Sequence, residues 1–164
     1  MTDTTKLLKL FYTFFLGVLL AVFIGVGIHT FYPGPQAPEF PVALNTYGKD
    51  TELTPEQVML QKQWDQKTEA YNKAIKPYSR NVSMTALGIA VLFLAASIIL
   101  EKRIKIIADG IMLGGLFTLL YSIGRGFVSE NNGYVFVVLS LSVIVVLYLG
   151  FHRFVRPGTL QKDV

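Results

Sequence analysis

Residues 104–127 read IKIIADGIMLGGLFTLLYSIGRGF, an apolar run with an acid near one end, an arginine near the other and five glycines. A helix of about twenty apolar residues crosses the roughly 30 Å hydrocarbon core of a bilayer, so this stretch is read as a transmembrane span. Turning 100° per residue from Asp109 places Gly110, Gly114, Thr118, Tyr121, Ser122 and Arg125 between roughly 100° and 220°, on one stripe. Gly110 and Gly114 form a G-x-x-x-G, which lets a second backbone approach closely, and the hydroxyls can bond across such a contact. The stripe is therefore expected to face protein or water. Asp109 lies off it, and its separation from Arg125 is about 24 Å along the axis, so the two charges cannot pair within one helix. Each is a candidate ion, substrate or partner-pairing group, because ionisable residues at membrane depth are functional candidates.

Outward from this span, the 164-residue chain carries three more runs of similar length, near 10–28, 82–100 and 134–152. The expected class is an all-α integral membrane protein, a four-helix transmembrane bundle with spans near 104–127 and these three. The β-branched residues of the last run would suit a strand in water; length decides for a helix. Residues 1–30 hold the first span, whose Gly17, Ala21 and Gly25 form a second small-residue ridge for helix packing. Its apolar length and the lack of a small-x-small site exclude a cleaved signal peptide. The five residues Glu101 to Lys105 leave room only for a tight turn, so the second and third spans form an antiparallel hairpin.

Between the first two spans, residues 31–80 form the one sizeable segment expected outside the membrane. Prolines at 33, 35, 38 and 41 favour a stiff, extended spacer. Thr54 as N-cap, Pro55 at the first helical position and Gln57 three residues beyond the cap predict a helix over about 54–76, ended by Lys76-Pro77. Leu60, Trp64, Tyr71 and Ile75 recur on one face of that helix as an apolar anchor on an otherwise charged surface. Such an amphipathic stripe needs a cover: the outer ends of the spans, lipid head groups or another chain.

The net charge of +4 comes largely from residues that flank spans, so nucleic acid is not an expected partner; the lipid bilayer is. Lys6, Lys9, Lys102, Arg103, Lys105, Arg153, Arg156 and Lys162 are eight of the fifteen basic residues and all fall in short segments at one predicted face. That pattern places both termini, with the tail 157–164, in the cytoplasm and the 31–80 segment outside.

The chain has no cysteine, which excludes disulfides and thiolate chemistry. His29 and His152 are expected at opposite membrane faces, so no metal site is expected, and no cofactor motif or catalytic constellation stands out. Asn81-Val82-Ser83 matches a glycosylation sequon, a motif too short to carry weight alone. The expected function is a non-catalytic subunit that assembles with itself or a larger membrane complex through its glycine faces and outer helix. A small oligomeric transporter or channel lined by the Gly110 to Arg125 stripe is the alternative.

Overall fold

The computed structural model describes residues 3–44 and 54–155. Among these, the chain is all-helical, and four helices are long and apolar enough to cross a membrane. They are α1 (Asp3–Phe31), α2 (Pro55–Leu100), α3 (Lys105–Val128) and α4 (Asn132–Gly150), the last continued by a π-helical turn, Phe151–Val155. The expected tail 157–164, with Arg156 and Lys162, and the loop residues 45–53 lie outside the described residues.

The helix expected to stop at Lys76-Pro77 does not stop. α2 is continuous for 46 residues with Pro77 inside it, about 69 Å at the standard rise, so its first half projects well beyond any bilayer-length span. Proline in a helix removes one backbone hydrogen bond and crowds the preceding turn. Here tertiary contacts on both sides of Pro77 hold the axis together. Lys76 Nζ pairs with Glu130 at 2.6 Å, the Tyr78 hydroxyl donates to the Tyr32 carbonyl at 3.0 Å, and the Tyr134 hydroxyl donates to the Arg80 carbonyl at 3.1 Å. The helix starts as its sequence predicts, with the Thr54 backbone N–H donating to Gln57 Oε1 at 2.9 Å.

One stripe runs the whole length of α2. The half-buried Leu60, Trp64, Thr68, Tyr71 and Ile75 continue into the buried Tyr78, Val82, Ala86, Ala90, Leu94 and Ser97 at steps of three or four residues. The proline-rich segment doubles back over the projecting half instead of leading away from it. Phe40 meets Trp64 edge-to-face with ring centroids 5.2 Å apart, the short turn Val42–Leu44 touches α2, and Gly34 lies against the Tyr78 ring. A Cβ on Gly34 would be 2.9 Å from Tyr78 Cε1, so only glycine lets the strap lie this low.

α3 is the central helix, in contact with α1 on one side and α2 on the other, while α4 touches it more sparingly. The small residues of α3 make this possible. Gly110 and Gly114 lie against Leu16 and Leu20 of α1, and Gly17 of α1 reciprocally lies against Leu113. Gly115 faces Leu94 and the Ala90 carbonyl of α2. Ser83 and Ser122 then bond each other's backbones: Ser83 Oγ donates to the Ser122 carbonyl at 2.7 Å and Ser122 Oγ to the Ser83 carbonyl at 2.8 Å. Both serines are fully buried. Without water to compete, such paired hydroxyls tie two helices together where Leu or Val would hold them apart.

Candidate functional site

The charges concentrate where α1 begins, α2 turns into α3 and α4 ends. Asp109, one turn inside α3, forms an ion pair with Arg153 Nη2. The same guanidinium sends Nε toward Glu101 at 3.8 Å and donates from Nη1 to Met112 Sδ at 3.0 Å. Three nitrogens thus meet three partners from the α2–α3 turn and α3. The Arg153 side chain is 8% exposed, against 29% for Asp109 and 26% for Glu101, so the cation is more enclosed than either anion. Arginine suits this role because its fixed fork stays charged and can serve several acceptors at once. Arg153 sits in the π-helical turn Phe151–Val155, the kind of local widening that often marks functional positions.

Around this cluster opens a cleft of about 1280 Å³ between the start of α1 and the start of α3. Lys6, Lys9, Lys105 and Arg153 supply its positive charge and Glu101 and Asp109 its negative charge, while Leu10, Ile106, Met112 and Leu113 are among its apolar lining. Sequence reasoning singled out Asp109 and left Arg153 as one of the flanking charges that end span four. The signal available was that Asp109 needed a cation. Choosing Arg153 over the seven other basic residues predicted at that end required knowing which helices lie beside α3.

At the far end of α3, Arg125 is held differently. Its guanidinium lies over the Tyr78 ring, 5.1 Å from the centroid, and Tyr78 stacks in turn on Tyr32 at 5.1 Å. Asn81 Nδ2 donates to the Tyr32 hydroxyl at 3.2 Å and closes this pile. Arginine over an aromatic face gains from the ring quadrupole, and desolvation strengthens the effect. Arg125 therefore docks on α2. The Asn81 sequon lies inside α2 beside this pile, with its Ser83 buried against α3.

The remaining stripe residues divide. Thr118 is buried and donates to its own Gly114 carbonyl at 2.8 Å, Ser122 bonds Ser83, and Tyr121 is exposed. Gly110, Gly114 and Ser122 thus face protein, but the protein is this chain. On the α1 ridge, Gly17 is packed against α3, whereas Ala21 and Gly25 line an open groove with His29 and Tyr121, and a Cβ on Gly25 would meet nothing within 4 Å. Along the projecting half of α2, Trp64 Nε1 and Thr68 Oγ1 are buried and have no hydrogen-bond partner among the described residues.

No protein-family model, curated protein or solved structure matches the chain. The class its own helices define is a multi-pass membrane protein.

Proposed function

We propose that this is a non-catalytic membrane protein that assembles with another chain and presents the projecting half of α2 to it as a rigid arm. The observation that carries this reading is the unbroken 46-residue helix, in which a membrane-length segment and its extension share one axis. A flexible loop would let the two halves move independently; a continuous helix ties whatever docks on the arm to the bundle. The second contact surface is the open half of the α1 ridge, Ala21 and Gly25, where a neighbouring helix can approach closely. Gly17, Gly110 and Gly114 serve packing within the chain in this reading. The basic residues Lys6, Lys9, Lys102, Arg103 and Lys105 support an orientation with the N-terminal end in the cytoplasm and the arm outside.

The test is photocrosslinking of the full-length chain at native abundance, with the crosslinker at Met59 on the arm or at Gly25 on the ridge, followed by mass spectrometry. A stoichiometric product from either position, a second copy or another protein, is the expected result. A chain that purifies as a monomer and crosslinks to nothing from both positions would remove the reading.

The charged cleft keeps the transport alternative in view, since Asp109 and Arg153 are the groups at which an ion or charged substrate would act. Under that alternative, Asp109→Asn abolishes flux in reconstituted vesicles while leaving assembly intact. Under the assembly reading, crosslinking survives the same substitution.

A further inference from the structure

The turn between α3 and α4 reaches α2 on both sides of Pro77, and it is fastened unevenly. On the span side the Tyr134 hydroxyl donates to the Arg80 carbonyl at 3.1 Å. Within the turn, Ser129 Oγ donates to the Gly126 carbonyl at 2.7 Å and Asn131 Oδ1 accepts from the Tyr134 N–H at 3.0 Å. Across Pro77 the turn meets the arm through one polar contact among the described residues, Glu130 to Lys76. Glu130 also stands where a side chain is strained. It follows the C-cap Ser129 of α3 with φ 52°, the one non-glycine with positive φ among the described residues. That left-handed position after a helix is ordinarily glycine or asparagine, which adopt it with least strain. Asn131, Asn132 and Gly133 come next in the chain, yet the position holds a glutamate. Strain of this kind points to a task for the side chain, and the ion pair made by this carboxylate is with Lys76.

The residue beside Lys76 is the weak point of α2. Pro77 has no N–H to give to the Lys73 carbonyl, and it is exposed instead of packed under a neighbour. Helices bend more readily at such a position than elsewhere. We propose that Pro77 is a joint in α2 and that Glu130 is its latch. The ion pair with Lys76 holds the arm at one angle to the span, and competition for either charge frees it. The two side chains are 42% and 67% exposed, so salt ions or a charged group on a partner can reach them. The strap crosses the joint as well, from Gly34 at Tyr78 to Phe40 at Trp64. It has no hydrogen bond to the arm among the described residues, and so it can follow the arm as it moves. The joint supplies the regulation of the arm and rests on the assembly reading for its purpose; the motion itself needs no partner chain.

The chain has no cysteine, so introduced ones place a nitroxide pair: Met59→Cys on the arm and Phe136→Cys on α4, both at exposed positions. The distance between them is measured by double electron–electron resonance on the full-length chain in bilayer nanodiscs. A kink of about 20° at Pro77 moves Met59, about 27 Å away along the axis, by about 9 Å. The labelled parent should give a narrow distribution, and Glu130→Gln and Lys76→Gln should each spread it by about 9 Å. Exchanging the charges, by Lys76→Glu with Glu130→Lys, should restore the narrow one. Glu130→Gly separates the latch from folding: it removes the left-handed strain, so resistance to SDS is unchanged or higher while the spread still appears. Lys73→Gln breaks the other exposed pair on the arm and should leave the distribution narrow. If a variant does not fold, the labelled parent in about 1 M salt, where the Debye length is about 3 Å, carries the test with the same spread. A distribution that stays narrow in Glu130→Gln and in salt overturns the proposal. So does one already as broad in the parent, no recovery on charge exchange, or equal broadening by Lys73→Gln. Because the isolated chain is used, a stiff joint leaves the crosslinking result standing, and a failed crosslink leaves the measured joint standing.

Discussion

The two ends of α3 each anchor an ionised residue, and they do it by opposite means. At the N-terminal end Asp109 is matched by a cation from a distant helix, Arg153, within a cluster of opposite charges. At the other end Arg125 meets no acid among the described residues; it lies on Tyr78, itself stacked on Tyr32. An enclosed carboxylate in a dry setting needs a cation or hydrogen-bond donors, which aromatic faces cannot supply. A guanidinium has two choices, because its flat, weakly hydrated surface also gains from a ring. The ion pair consequently depends on the charge of its partner, whereas the stack depends on the shape and area of the ring.

The largest effect expected is one that disturbs both ends together. A Cβ on Gly115 would lie 2.9 Å from Leu94 Cδ2 and 3.3 Å from the Ala90 carbonyl, so Gly115→Leu must push α3 away from α2. We expect a loss of about 3 kcal/mol, the upper part of the overpacking range, measured as unfolding in a graded mild-detergent to SDS titration. Gly25→Leu, which enters open space, should be nearly neutral in the same titration. Equal losses from both would mean that glycine content, not close approach, sets the stability of these helices.

Next comes the charged end alone. Asp109→Asn leaves the enclosed Arg153 with Glu101 at 3.8 Å as its one acid among the described residues, beside the Met112 sulfur, and the expected loss is about 2 kcal/mol, reduced from the fully buried case because Asp109 is 29% exposed. Paired with Arg153→Gln in a double-mutant cycle, it should show a coupling of at least about 1 kcal/mol. Additive losses would show that the two ends do not differ in the way described.

The aromatic end is expected to be more tolerant. Tyr78→Leu removes the ring beneath Arg125 and the stack on Tyr32, at a cost of about 1 kcal/mol. Tyr78→Phe keeps the ring and loses only the 3.0 Å bond to the Tyr32 carbonyl, so it should cost less. If Phe were as damaging as Leu, the hydroxyl and not the ring would be holding the strap.

The smallest effect belongs to an exposed pair on the arm. Lys73 holds the Glu69 carboxyl below its ordinary pKa, first by a hydrogen bond at 2.6 Å and then by its charge. A depressed carboxylate pKa contributes stability that is present above the ordinary value and lost as pH falls through the folded one. Both side chains are largely exposed, so salt screens the pair. Circular dichroism should show a slight loss of helix on acidification at low salt and none on Glu69→Gln at neutral pH in physiological salt. A large acid transition would place the sensitive group elsewhere.

Much of this architecture was legible in the residues. Length and apolarity set the four spans, and Thr54, Pro55 and Gln57 marked where α2 begins, because both signals are local along the chain. The helix expected to end at Pro77 shows the limit of local rules. The rule weighs one missing hydrogen bond and one steric clash, and it has no access to Glu130, Tyr32 and Tyr134, which brace the helix around that proline. The Gly110 to Ser122 stripe was legible as a packing face but not as a face that packs inside its own chain.

The sequence by itself determined that four helices of membrane length form, that α3 carries a glycine face, and that Asp109 and Arg125 stand too far apart to meet. These follow from hydropathy, helical periodicity and rise per residue, none of which depends on a neighbour. Only the tertiary structure decided that α3 is the central helix, that Arg153 answers Asp109, that a tyrosine ring answers Arg125 and that the proline strap returns over Trp64. Each of those is a choice among several chemically adequate partners, and it is made by which helices pack side by side.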